Sequence, residues 1–335
     1  MHLEKKWKSI RVAILAKHGG FLRWHTDLAE GFAQIGAHVN SINLRPSGFA
    51  EIRKKIKTGC STFNNQAIQH RVATQLNAAK PDLVIMMNRP GLTHAAHELW
   101  RTVIPRKSLI VGWLCDSWEE IPASDAPNFD ILFYFDSASR SAMKPAYQDA
   151  SKLHHLPLAA NPARYPCHAL PAKNREPHLV FAGNCSANRK KFFQRLKAVG
   201  ENIEIYGPKS NGVSRFWRNR CYNAGALSRL YGKYLGTLNI LQATNTVNGL
   251  NLRAFEAPCA GGVGLYPDVT DLPLSFEPGK EILTYRTVNE IAEIMARLRK
   301  DPDEADAVYL AGRKRVLAEH TYRNRATQIL ERAFG

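Results

Sequence analysis

Six cysteines stand singly at 60, 115, 167, 185, 221 and 259, and no two form a CxxC pair. Scattered thiols of this kind fit a reducing, cytoplasmic setting and argue against a zinc ribbon or a disulfide framework. Runs of 18 or more apolar residues are missing, so no membrane-spanning helix is expected. The GxGxxG fingerprint is missing as well, and no acidic residue closes the second strand-like run near 43–45. The usual grip on a dinucleotide is therefore absent, which speaks against a dehydrogenase or an epimerase. Acidic residues are scarce: 29 Asp plus Glu face 46 Lys plus Arg, a net charge of +17. Such an excess points to anionic partners, whether phosphorylated donors, anionic membrane surfaces or nucleic acid, and says little about fold. A generically basic soluble protein is the plain alternative.

What is present is an alternation of apolar runs and helical stretches. With 335 residues, 44% hydrophobic and 22% charged, the chain is globular and long for one core, so two domains are expected. The opening MHLEKKWKSIRVAILA has basic residues before an apolar run, but the run is short and passes into KHGG without a cleavage pattern; it reads as a first strand. AHVNSINLR, DLVIMMN, SLIVGWLCD and FDILFYFD continue the strands, with helices between them. Continuous apolar strands alternating with helices indicate parallel sheets covered on both faces. The grammar stops over 159–178, where AANPARYPCHALPAKNREP carries four prolines, and restarts with HLVFAGN. The expected organisation is a Rossmann-like domain over 1–160, a linker over 161–178 and a second Rossmann-like domain over 179–335. The terminal helix is free to cross back to the first domain. Ligands are expected beyond the carboxyl ends of strands.

Several positions there carry candidate chemistry. Lys17-His18-Gly19-Gly20 follows the first strand, where glycines admit a ligand to the backbone and a helix start attracts anions; a tight turn is the bland reading. Asp116 lies just beyond a buried strand, beside Trp113 and Trp118, placed to act as a base or as a helix cap. Gly183-Asn184 ends another strand, and Arg189, Lys190 and Lys191 then open a helix. Cations oppose the dipole at that end, so a bound phosphate would explain them where local propensity does not; a solvated basic turn is the alternative. Asn248-Gly249 precedes a short helix over roughly 251–259, shortened or kinked by Pro258 and ended by Gly261-Gly262. Arg253 and Glu256 share one of its faces, either as a ligand-binding pair or as a structural one; Glu256 could accept two ribose hydroxyls. The stretch 209–235 interleaves Arg215, Arg218, Arg220 and Arg229 with Phe216, Trp217 and three tyrosines. It suits an anionic membrane face, nucleic acid or an ordinary helix pair.

The carboxyl-terminal pattern resembles the CgeB-like, spore-maturation-type glycosyltransferases of the GT-B superfamily. The pieces that carry this are Asn251-Leu252-Arg253-Ala254-Phe255-Glu256, Phe276-Glu277-Pro278-Gly279-Lys280-Glu281, and His320-Thr321-Tyr322 with Arg325. Gly183-Asn184 with Arg189, Ile205-Tyr206-Gly207 and LHHLPLAANPARY over 153–165 add to them. The resemblance implies two facing Rossmann-like domains with an interdomain cleft and a nucleotide sugar held mainly by the second. Glu256 would hold the ribose. Arg189 and Arg253 would neutralise the diphosphate, with Asn251, Gly249, Asn248, Asn184, Lys190, Tyr206, Gly207, Gly19 and Gly20 around the donor. Side-chain cations would replace a metal, so no cofactor beyond the donor co-substrate is expected; Asp301-Pro302-Asp303 reads as a turn. Many retaining members carry two glutamates eight apart, and here Asn248 stands where the first would be. Inversion would call on Asp116 or His18 as base. The expected function is transfer of a sugar, without metal, from a nucleotide sugar to an anionic or polyhydroxylated acceptor. A glycan or glycolipid at the inner membrane face is preferred, with Arg215, Trp217, Arg218 and Arg220 facing it. Alternatives are DNA carrying hydroxylated bases and a non-catalytic binding module.

Overall fold

Strand β1 (Arg11–Ala16) is buried from Val12 onward, as a strand covered on both faces must be. The computed structural model to which it belongs describes residues 7–17, 23–45, 66–88, 92–116, 125–143, 150–207, 223–242 and 246–335. His18, Gly19, Gly20 and Trp118 lie outside the described residues, as do Arg215, Trp217, Arg218 and Arg220. After β1 come α1 (Trp24–Gln34), β2 (His38–Asn43), α2 (Gln66–Ala79), β3 (Leu83–Asn88) and α3 (His94–Val103). Then follow β4 (Leu109–Leu114), β5 (Ile131–Tyr134), α4 (Ser137–Met143) and β6 (Leu153–His155). These strands form one parallel sheet in the order β2-β1-β3-β4-β5-β6. Its core joins Leu15, Met86, Ile110 and Leu132 to Trp100 and Phe129.

The second sheet is built from β7 (Glu176–Ala182), β8 (Ile203–Tyr206), β9 (Tyr234–Leu238), β10 (Gly264–Pro267) and β11 (Leu283–Tyr285). Its helices are α5 (Ala187–Ala198), α6 (Ala224–Lys233), α7 (Arg253–Cys259), α8 (Val288–Lys300) and α9 (Pro302–Glu319). Strand order is β11-β10-β9-β7-β8, again all parallel. The chain runs outward from β7 to β8, then returns across it to β9. Direction therefore reverses between β7 and β9, and the loops after these two strands diverge. A ligand crevice is expected at that point.

The chain divides into Met1–Pro157 with Tyr322–Gly335, and Leu158–Thr321. The proline-rich segment read as a linker belongs to the second unit. Its backbone is tied in place: His168 N donates to Ala260 O, Leu170 N to Gly232 O, and Ala172 N to the Asp306 carboxylate. Prolines there set an extended path without making it free. The terminal helix α10 (Tyr322–Phe334) belongs to the first unit. Asp301 is a helix cap and not a turn residue: its side chain accepts from Asp303 N and Glu304 N, and Pro302 occupies the first turn of α9.

Helices α1 and α10 meet at Gly31, where any Cβ would run into the Tyr322 carbonyl. Gly31→Val is expected to destabilise the first unit by about 2 kcal/mol through overpacking, read as a lower midpoint in thermal unfolding; an unchanged midpoint would show that the two helices do not pack there.

Candidate functional site

The crevice point of the second sheet is where its charged residues collect. β7 ends in Gly183 and Asn184, and α5 starts three residues later at Ala187. The amide of Gly183 donates to Tyr206 O at the end of β8. A side chain on Gly207 would strike the Gly183 carbonyl, and one on Gly183 would press on the Arg253 guanidinium. Both glycines are there for close approach.

Arg189, in the first turn of α5, is buried at 5% exposure. Its Nη1 donates to Asn184 O at 2.9 Å and its Nη2 to Ile240 O at 2.6 Å. One side chain thus ties the loop after β7 to the loop after β9. Arg253 opens α7, with its Nη1 donating to the Asn239 Oδ1 at 3.3 Å. Both guanidinium groups lie over Phe181, at 5.2 and 5.4 Å from its ring centre. Among the described residues neither forms an ion pair. Burial, and then the charge of Arg253, draw the Arg189 guanidinium down to about 10, so it remains charged at neutral pH. Two cations held side by side without a carboxylate can receive an anion.

Around them lies a polar framework. Asn239, directly after β9, exchanges amide hydrogen bonds with Asn251: Nδ2 to Oδ1 at 2.7 Å one way and 3.0 Å the other. The Asn251 Oδ1 also accepts from Arg253 N, closing the start of α7, and Asn251 N donates to the Tyr266 hydroxyl. Tyr285 donates from its hydroxyl to Asn239 O at 2.6 Å. Glu256 is half-buried in the first turn of α7, three residues on from Arg253. Asn248 accepts at its side chain from Thr270 Oγ1 and at its carbonyl from Asp271 N, so it joins two loops. Gly249 beside it is buried.

Residues 189–331 match a protein-family model described as glycosyl transferase-like, a little under half of the chain. No curated protein matches in sequence. Among solved structures, Anabaena HepE in complex with UDP and glucose aligns at 12% identity and a TM-score of 0.63, over 96% of this chain and 98% of that one. An α-glucosyltransferase in complex with UDP and DNA containing an HMU base aligns at 12% identity and 0.65, over 98% and 100%. A glycosyltransferase from Rickettsia africae aligns at 11% identity and 0.67, over 98% of each chain. The chain has the GT-B fold.

In that fold the structure brings Gly183, Asn184, Arg189, Asn239, Asn251 and Arg253 together at the β7–β9 divide. Lys190 is half-buried in the first turn of α5. Tyr206 is turned to Tyr234, with the two hydroxyls 3.0 Å apart, so its side chain serves the strand pair. Asp116 is half-buried two residues past β4 in the first unit. The reading of Arg189 changes: it is no solvated cation at a helix mouth but a buried brace with two donors committed to backbone. Sequence alone does not single out Asn239, because β9, which begins where the stretch 209–235 ends, does not look like a strand. Among the described residues, His94, His97 and Glu98 at the start of α3 could offer three ligand atoms to a metal. There Arg101 Nε donates to His97 Nε2 at 3.1 Å, which leaves the ring proton on Nδ1, 3.3 Å from the Glu98 carboxylate. A metal would need that nitrogen bare, whereas the donation from Arg101 to Nε2 places the proton on it.

Arg189→Met removes both braces and leaves two carbonyls without partners. The expected loss is about 2–3 kcal/mol in denaturant unfolding, well above the cost of a surface Arg→Met change such as Arg323→Met measured alongside it.

Proposed function

We propose that this chain is a glycosyltransferase whose second unit holds a nucleoside-diphosphate sugar at the divide between β7 and β9. The observation that carries the reading is the pair Arg189 and Arg253, charged, adjacent and without a carboxylate, at the place where an open parallel sheet binds its ligand. A diphosphate is the anion that fits there, met by Arg253 while the buried Arg189 adds its charge from behind, and UDP is bound by HepE and by the α-glucosyltransferase of the same fold. Glu256, one turn into α7, would accept the ribose hydroxyls. The motif spanning Asn251 to Glu256 allies the chain with CgeB-like members of this superfamily.

Transfer breaks the bond between the anomeric carbon and the diphosphate oxygen and forms one to an acceptor hydroxyl. The electron pair leaves with the diphosphate, where the cations stabilise it without a metal. The hydroxyl proton passes to a base, for which Asp116 is the described candidate, or to the departing diphosphate. The acceptor reading is a glycan or glycolipid. A hydroxylated base in DNA is the second reading, supported by the +17 charge and by the DNA complex of one structural neighbour. Among the described residues no helix is long and apolar enough to cross a membrane.

Calorimetry with UDP tests the donor site. Arg253→Ala should weaken UDP binding about tenfold or more, since a hydrogen bond to a charged group is lost. Glu256→Ala should weaken UDP and abolish any preference for UDP over its 2′,3′-dideoxy form; a preference that survives the change removes Glu256 from the ribose. Activity that persists after EDTA dialysis supports the metal-free reading, and activity that returns only with a divalent cation overturns it. For the acceptor, a steep salt dependence of duplex DNA binding favours the second reading.

A further inference from the structure

We infer that Asn239 is a positioning residue that aims the Arg253 guanidinium at the ligand's diphosphate without neutralising it. This rests on the donor-site reading above and adds a residue to it. Asn239 is 4% exposed, so it is set to act through Arg253 and not by touching the ligand. Its backbone is fixed from two sides, with Asn239 N donating to Leu265 O in β10 and Tyr285 donating to Asn239 O. Its amide is fixed by the reciprocal pair with Asn251, which dictates where the Oδ1 points. That oxygen accepts from Asn251 Nδ2 and from Arg253 Nη1, using both of its lone pairs. Arg253 is held on its other sides by the Phe181 ring and by Gly183, whose missing side chain makes the room. The guanidinium therefore has one orientation before any ligand arrives.

The choice of amide over carboxylate is the informative part. Aspartate has the same outline and would accept the same hydrogen bond from Arg253, while losing, as alanine does, the Nδ2 donation to the Asn251 Oδ1. It would also pair with Arg253 as an ion pair, and a phosphate would then have to displace it. Asparagine supplies an acceptor and no charge, so the cation is oriented and still available to an anion. The same logic governs Arg189, whose two bonds run to carbonyls.

The test compares calorimetric binding of UDP and of uridine to the full chain as wild type, Asn239→Asp and Asn239→Ala. The wild type should bind UDP more tightly than uridine; if it does not, the donor-site reading itself fails, independently of Asn239. Given that preference, both variants should lose about tenfold or more in UDP affinity while uridine binding stays as it was, with Asn239→Asp showing the larger loss because it neutralises Arg253. Unchanged UDP affinity in Asn239→Asp, or an equal loss for UDP and uridine in both variants, overturns the assignment. Far-ultraviolet circular dichroism and thermal unfolding identify a variant that fails to fold. Should Asn239→Ala fail to fold, the Asn239→Asp comparison decides alone, because it keeps the shape of the site; its own failure to fold would show a purely structural role and overturn the inference.

Discussion

Two like charges held in a largely buried setting are the constraint around which the second unit is built. Burial penalises the charge on Arg189, and repulsion from Arg253 adds to it. A protein usually relieves such a pair with a carboxylate. Here the relief is neutral: backbone carbonyls for Arg189, an asparagine oxygen for Arg253, and one aromatic ring beneath both. Each neutral acceptor satisfies a donor and leaves the charge standing. The proposed site therefore keeps a positive charge for an anionic ligand to discharge, and electrostatic preorganisation of this kind would cost no reorganisation when a leaving group develops charge.

The sheet order makes that arrangement possible. β7 and β9 lie side by side, yet their following loops run to opposite sides, and the gap is spanned by Arg189 reaching from Asn184 to Ile240. Glycines at 183 and 207 let the ends of β7 and β8 and the Arg253 side chain meet at van der Waals distance. Gly261, at φ +88°, ends α7 after two turns, and this keeps the helix short and its start at the strand ends.

Most of the sheet framework was legible because its strands are unbroken apolar runs, β1, β3, β4 and β7 above all. β9 was not. It follows α6 without a connecting residue, and its five residues include Gly236 and Thr237, so neither length nor periodicity marks a strand. What makes it one is tertiary: Gly236 gives way to Leu179, Leu265 and Met295, and the strand becomes the centre of the sheet. β6 and β11 escaped for a simpler reason, being three residues each at sheet edges. Of the site, Arg253 and the glycines were readable from the helix start and strand ends. Asn239 was lost with its strand, and the burial of Arg189 could not be read locally, since its partner carbonyl at Ile240 is 51 residues away.

The shortage of acidic residues also acquires a location. Several of the carboxylates are already paired with arginines away from the β7–β9 divide: Asp82 with Arg11, Asp130 with Arg101, Glu201 with Arg299, Asp268 with Arg286, Glu281 and Glu319 with Arg315. The exposed pairs among them, such as Asp268 with Arg286, add little stability; Glu201 is buried. Their effect on the proposed anion site is by placement, since a carboxylate committed elsewhere contributes little to screening a cation at the end of β9. A chain with 46 basic and 29 acidic side chains can leave any number of cations unpaired on its surface, where water and salt screen them. At the end of β9 the unpaired cations are instead set against protein, behind neutral acceptors, where screening is weak. Net charge alone would draw anions to the whole molecule; burial without neutralisation is what would make one place on it selective.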